Sequence, residues 1–455
     1  AAKEEMQMEK NVFIEKLLKA ALEDGIEAAE VYTSDHDSFR AMSTTGEITD
    51  YAVSSRSGLS LRGLYHGKMG YASTEAYDDD AIAMLIRAVI ESAELVEDDA
   101  VQEIYHGDES YPQVDNYAPS LDEVTEEQKL KLLLETEKCA MNSGDPRIKQ
   151  VQRNMISTSS SAVHIVNSYG LDLSSRDNMA VAYISVIARD GERVSTGMGL
   201  ACDRDFSKIS PKKMADEAVE EALFNLNAAP VPCGTYRLII DKHCMPDLLA
   251  TFSDIFSADQ AQQGMSLLAG REGETIAAEC VTLMDDPHLK GGEASSPFDA
   301  EGVATQVKAV IENGRLTTLL HNLKTARKAG VRSTGNASKY GYASPITVEP
   351  SNFYFKPGKR TLEEMMASIG EGLVITEMSG MHAGANPVSG DFSLLSKGYT
   401  IENGRKGRAV EQITVAGNFY TMLKNIREVG SDLEFFGSSY GSPSVDVGEM
   451  TVAGK

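Results

Sequence analysis

The sequence predicts an α+β fold: an N-terminal helix–antiparallel strands–helix module that is duplicated, then a C-terminal, mostly antiparallel β domain, barrel-like or sandwich-like, with a few helices. Three observations predict it. Helical i, i+3, i+4 spacing brackets β-type runs in the same order at residues 11–96 and again at 120–228. The run Ala228-Ala229-Pro230-Val231-Pro232 then breaks the pattern, which divides the chain into 1–229 and 230–455. Beyond that break the chain turns rich in glycine and strand formers, and Asn-Gly pairs stand at hairpin positions.

Residues 11–24 predict a helix with Val12, Ile14, Leu17, Leu18, Ala21 and Leu22 on its apolar side and Gly25 beyond its end. Five β-type runs follow between residues 29 and 73, with Gly46, Gly58 and Gly67 as the turns. Residues 78–96 form the clearest amphipathic helix, and aspartates at its start favour the positive end of the helix dipole. An acidic connection over 97–119 leads into the second module. Its first helix is expected over 121–142, with Ser120 and Glu123 as a capping box. Strands begin near Ser161, and a helix over 211–227 closes the module. In the second half, 235–241 is a strand and Pro246 opens a helix reaching about Ser257. Ile-Glu-Asn-Gly occurs at 311–314 and at 401–404, each time as a hairpin. Thr361 and Glu364 cap a short helix to Gly370, and a last helix is expected over 419–429.

The chain has 43 Lys and Arg against 68 Asp and Glu, a net charge of −25. Most of such a surface repels a phosphate backbone, and no basic stripe offsets it, so nucleic acid is not an expected partner. No apolar run has the length of a membrane span. The N-terminal AAKEEMQMEKN lacks the apolar core of a secretory signal, so the expected location is cytoplasmic. Five scattered cysteines without a C-x-x-C pair form neither a disulfide framework nor a zinc ribbon.

The stretch GMHAGANPVSGDFSLLSKGYTIENG, residues 380–404, combines a glycine-rich polar loop with a following strand. It resembles the C-terminal signature of the TldD/PmbA ("modulator of DNA gyrase") family, and the resemblance covers nearly the whole chain. That family contains zinc metallopeptidases and sister subunits without the zinc site. In active members a helix carries His-Glu-x-x-x-His, and a cysteine on a glycine-rich loop near the C-terminus completes the ligand set. Registered on GMSLLAGREGE (264–274), the two histidine positions fall on Leu249 and Asp254 and the Glu position on Ala250. The C-terminal loop GSSYGSP contains no cysteine, and none of the five cysteines lies beyond Cys280.

The resemblance therefore implies the PmbA/TldE-like branch: no zinc in this chain, no catalytic residue here, and zinc in a TldD-like partner. The alternatives are a stand-alone homodimeric peptidase with an atypical site, or a non-enzymatic homodimeric peptide-binding protein. A glycine-rich loop between strands leaves backbone groups free for an extended peptide, so Gly384, Asn386, Ser389, Gly390 and Asp391 are the candidate peptide-binding residues. His243, His288, His321 and His382 are dispersed, and their convergence is left open by sequence. GSSYG matches the nucleophile elbow G-x-S-x-G, but no histidine follows it to complete a triad. Asp299 and Glu301, in a turn that also resembles the family, are expected to cap backbone N–H groups.

Overall fold

The structure is a computed structural model describing residues 2–97 and 102–454. Helix α1 (Ala2–Glu23) buries Phe13, Ile14, Leu17, Leu18 and Ala21, while Val12 and Leu22 face outward, contrary to the expected apolar side. It starts well before residue 11. Strands β1 (Ala28–Thr44), β2 (Glu47–Tyr65) and β3 (Lys68–Thr74) replace the five expected runs. Gly46 and Gly67 do turn the chain, with φ of 79° and 72°. Gly58 does not. It lies inside β2 opposite Ser34, where a Cβ would sit 2.5 Å from the Tyr342 ring. Its small size admits a residue from the other half of the molecule. Helix α2 (Asp79–Glu94) is capped by the Asp78 side chain and buries Leu85, Ile86, Val89 and Ala93.

The second module differs from expectation at its first helix. A short helix α3 (Pro119–Asp122) ends before α4 (Glu126–Met141). The capping box is Thr125 with Gln128 rather than Ser120 with Glu123, because the Thr125 side chain and the Gln128 side chain satisfy each other's backbone N–H. Strand β4 (Ile148–Asn167) begins well ahead of Ser161 and runs through Ser157, Thr158, Ser159, Ser160 and Ser161. It is held there by ladders to neighbours on both sides rather than by apolar alternation. Strands β5 (Asp172–Asp190) and β6 (Arg193–Asp203) and helix α5 (Pro211–Asn225) complete it.

The six strands form one antiparallel sheet, ordered β3-β2-β1-β4-β5-β6, so β1 and β4 join the two modules. Helices cover one face in two separate cores, one around Leu17, Leu61 and Leu85, the other around Ile156, Ile184 and Ala218.

In the C-terminal half, β7 (Gly234–Ile240), β8 (Gly372–Ser379), β9 (Asp391–Glu402), β10 (Arg405–Asn418) and β11 (Val445–Ala453) close into a five-stranded barrel through β10–β11 pairing. Only the β7–β8 pair is parallel within it. Both Ile-Glu-Asn-Gly hairpins are present, with Asn313 and Gly314 at φ 48° and 82° and Asn403 and Gly404 at 52° and 74°. The helix opened by Pro246, α6 (Met245–Phe252), tightens into a 3₁₀ turn at Ser253–Phe256. The last helix, α7 (Phe419–Asn425), stops short of 429 because Glu428–Val429 pairs with β11 instead. Among the described residues no helix is long and apolar enough to cross a membrane.

Candidate functional site

The signature loop is built from its own polar groups. After a short helix at Met381–Gly384, the Asn386 N–H donates to the Asp391 carbonyl at 2.8 Å, and the Gly390 N–H donates to the Asn386 carbonyl at 2.8 Å. Asn386 Oδ1 accepts from the N–H groups of Val388 (3.0 Å) and Ser389 (3.1 Å). The Ser389 hydroxyl and Asn418 Nδ2 both donate to the Asp391 carboxylate at 2.9 Å. Those bonds, Asn418 first, hold the Asp391 carboxyl below the usual carboxylate range. Gly384 packs so that a Cβ would lie 2.5 Å from the Ser393 carbonyl, and Gly390 (φ 82°) lies under the Tyr420 ring. The five predicted residues thus share one self-bonded loop. The expectation of free backbone groups there is corrected: the loop consumes most of them in folding itself.

The family's metal positions tell a different story. Leu249 is fully buried in the C-terminal core, Ala250 has no donor, and Asp254 is an exposed carboxylate on the 3₁₀ turn. Although the residue is exposed, partial desolvation of its carboxyl first, then the charge of Glu349, raises the Asp254 pKa. A zinc ion does not fit two hydrocarbon side chains and one carboxylate. The glycine-rich loop near the C-terminus nevertheless reaches this place, since the Tyr440 hydroxyl lies 3.0 Å from the Ser253 hydroxyl. Tertiary structure thus brings the end of α6 and this loop together.

The four open histidines have no partner in common. His243 Nδ1 lies 3.0 Å from Asp241 and its ring stacks on Phe436. Burial opposes its charge, but the hydrogen bond and charge of Asp241 outweigh that and raise its pKa. His288 meets Thr305, and His321 is buried against Thr325, its pKa lowered mainly by burial. His382 is exposed in the signature loop. Among the described residues no group of three or more His, Cys, Asp or Glu is placed to hold a metal ion.

Asp299 and Glu301 cap backbone as expected. Asp299 accepts from the N–H groups of Glu301, Val303 and Ala337 at 2.9–3.0 Å, and Glu301 Oε2 accepts from Leu323 N–H at 2.8 Å. Glu301 does more, and sequence reasoning missed it. Its other oxygen takes Arg62 Nη1 at 2.9 Å, while Arg62 Nη2 reaches Glu30 at 3.0 Å, all three being buried. Lys339 lies beside them, with Nζ 2.6 Å from the Ser60 hydroxyl and 4.6 and 4.7 Å from the Tyr32 and Tyr71 ring centroids. The available signal was Arg62 itself, a charge inside the otherwise strand-like run GLSLRGLY.

Lys339, Tyr32 and Asp299 border a cavity of about 370 Å³ between the N-terminal sheet and the C-terminal loops. Tyr32, Ser161 and Ser175 line it from the sheet, and Ser295, Asn336 and Glu349 from the loops. Glu349, on the cavity wall, also contributes charge that raises the Asp254 carboxyl.

Comparison with known proteins agrees with this architecture. Residues 29–93 match PmbA/TldA metallopeptidase domain 1, 119–226 the central domain and 233–454 the C-terminal domain. Metalloprotease PmbA of Escherichia coli O157:H7 is 26% identical over 456 residues, covering 97% of each chain. The crystal structure of TM0727 from Thermotoga maritima MSB8, described as a modulator of a DNA gyrase, superposes with a TM-score of 0.90 at 30% identity and covers 97% of this chain and 100% of that one. TldE from Thermococcus kodakarensis shares the fold, with a TM-score of 0.89 at 23% identity over 97% of this chain and 100% of that chain. Relatives named as metalloproteases support a peptidase function at the level of the family. Matched in order by all three of its domains, the chain belongs to the PmbA/TldD metallopeptidase family.

Proposed function

We propose that this chain is the PmbA/TldE-like subunit of a cytoplasmic zinc metalloprotease complex acting on unfolded peptides or peptide leaders. The observation that carries the reading is the composition of the family's metal place: Leu249 buried in the core, Ala250 beside it, and Asp254 alone as a donor. Hydrolysis by a metal-bound water needs several side-chain ligands around an open position, and those residues cannot supply them. The zinc then belongs to a TldD-like partner, and this chain supplies part of the wall around the substrate. Gly384, Asn386, Ser389, Gly390 and Asp391 act there as a preorganised surface, because their backbone groups are already bonded.

The test is co-expression with a related chain carrying His-Glu-x-x-x-His, followed by size-exclusion chromatography, zinc analysis and a peptidase assay on an unfolded protein. The expected outcome is co-elution, with zinc and chelator-sensitive cleavage found only when the partner is present. Stoichiometric zinc and peptidase activity in this chain alone would instead establish the stand-alone homodimeric peptidase. A homodimer that ignores the partner and cleaves nothing would establish the non-enzymatic binding protein.

A further inference from the structure

The face of the N-terminal sheet away from its helices sets polar side chains in two adjacent rows. Glu30 pairs with Arg62 across β1 and β2, and Arg62 with Tyr71 across β2 and β3. Tyr32 pairs with Ser60 one row on, so alternation puts all of these side chains on one face. Val31, Leu59 and Leu61 lie between them and point into the helix-covered core. Lys339, from the C-terminal loops, lays its side chain onto these rows. Its Nζ lies 2.6 Å from the Ser60 hydroxyl and 4.6 and 4.7 Å from the ring centroids of Tyr32 and Tyr71. Lys339 and Tyr32 also line the cavity, which gives a small molecule a route to this corner.

Two other inward-facing lysines are neutralised by carboxylates. Lys10 lies 2.6 Å from Asp35, and Lys308 lies 2.6 Å from Asp285. Lys339 meets a hydroxyl and two ring faces instead. Burial and the neighbouring Arg62 charge push its amine down to about 7, so much of it is unprotonated at neutral pH. A desolvated lysine beside a second cation is the kind of amine that attacks carbonyl carbon. In the same rows, Glu30 Oε2 and Arg62 Nε are buried without a partner. Glu30 and Glu301 together face the single positive charge of Arg62, which leaves one negative charge over.

We propose that Lys339 is a covalent site for a small neutral aldehyde, which condenses with Nζ to a Schiff base inside the cavity. The Nζ lone pair forms the new C–N bond, and the two amine hydrogens leave with the carbonyl oxygen as water. Nothing is oxidised or reduced, and the Ser60 hydroxyl stands where it can relay a proton. One further proton from solvent makes the imine cationic. That cation balances the charge left over by Glu30 and Glu301, and Tyr32 and Tyr71 face it as they face the amine. An amide or a carbamate leaves the carboxylate charge unbalanced, so acyl donors and carbon dioxide fit less well. Tyr32, Val163 and Phe298 offer an apolar wall to the aldehyde's tail, while Asp177, Glu293 and Glu349 oppose an anionic one. This site is independent of the partnered-subunit reading.

The experiment is reductive trapping of the full chain with butanal and cyanoborohydride at pH 7 and pH 9, followed by peptide mapping of every modified lysine. The α-amino group, which ordinarily titrates at about 8, is counted apart. At pH 7 an amine titrating at about 7 is unprotonated roughly a thousandfold more often than an ordinary lysine, and its lower basicity returns part of that advantage. Expected at pH 7 is labelling of Lys339 about ten- to a hundredfold faster than of exposed lysines such as Lys328 and Lys359, with the lead shrinking at pH 9. Glyoxylate, an anionic aldehyde, should show a smaller lead for Lys339 than butanal does. Lys339→Arg keeps a cation in place and should lose the fast site alone. Labelling of Lys339 no faster than of exposed lysines overturns the proposal, and so does a fast site that survives in Lys339→Arg. An equal lead with glyoxylate overturns the neutral class assigned. Should Lys339→Arg fail to fold, the wild-type map decides alone.

Discussion

Lys339 rests its amine on two tyrosine faces within reach of Arg62, and opposing effects meet there. Burial first, and the Arg62 charge second, disfavour the ammonium, and Glu30 only partly compensates, so the amine is pushed down to about 7. The consequence for stability has a definite sign. Between about pH 7 and the ordinary lysine range, the unfolded chain holds a proton that the folded chain has released, so stability from this group rises with pH. Below that window the full cost of burying the ammonium is present. Lys339→Met abolishes this dependence. Urea unfolding at pH 7 and pH 9 should show the wild type gaining on Lys339→Met, by at most about 1.4 kcal/mol per pH unit. An unchanged difference between the two proteins would remove Lys339 from the account. Arg62, Glu30 and Glu301 lie on the same interface, and Glu30 Oε2 and Arg62 Nε have no partner there. Their pairing couples a strand of the first module to a loop some 240 residues later, with a sequence separation of 239 between Arg62 and Glu301.

Elements in this chain were legible where the signal is local. The Thr361 capping box, the Asn-Gly hairpins and the amphipathic face of α2 all follow from residues within one turn of each other. Strand lengths were not. The serine run of β4 has no apolar period, and only its two neighbours make it a strand. Gly58 was misread as a turn for a related reason: a distant neighbour, the Tyr342 ring, occupies the place of its Cβ. Gly197 and Gly199 of β6 are there because α5 crosses so closely that a Cβ would fall 2.1 Å from the Ala218 carbonyl and 2.0 Å from the Met214 carbonyl. Gly197→Ala therefore overpacks the helix against the sheet and is expected to cost about 1–3 kcal/mol, read as a lowered Tm. Gly234→Ala, whose Cβ would meet its nearest neighbour at 3.5 Å, should stay within about 0.5 kcal/mol of the wild type. Equal effects at the two positions would contradict this view of the contact.

The whole molecule carries a net charge of −25, which sets what it can approach. Despite the gyrase-modulator name of its relatives, the chain is expected to leave duplex DNA unshifted in a gel assay at low salt, where electrostatic binding is strongest. Salt-sensitive retention of DNA at micromolar protein would show a basic surface that the charge balance gives no reason to expect. At this scale the candidate site is also composite. Its helix end and its cavity come from segments spread between residues 32 and 440.

The amino-acid sequence by itself determined the α+β class, the duplicated module, the family and the absence of ligand-forming residues at Leu249 and Ala250, because side-chain type and short-range spacing do not depend on how the chain folds back. Tertiary structure alone decided that the two modules share one sheet, that the signature loop bonds to itself, that Arg62 meets Glu301 of the C-terminal loops, and that Lys339 meets the N-terminal sheet. Each of those depends on which distant backbone or charge occupies the adjacent space, and hydrogen bonds and burial are settled only by that neighbour.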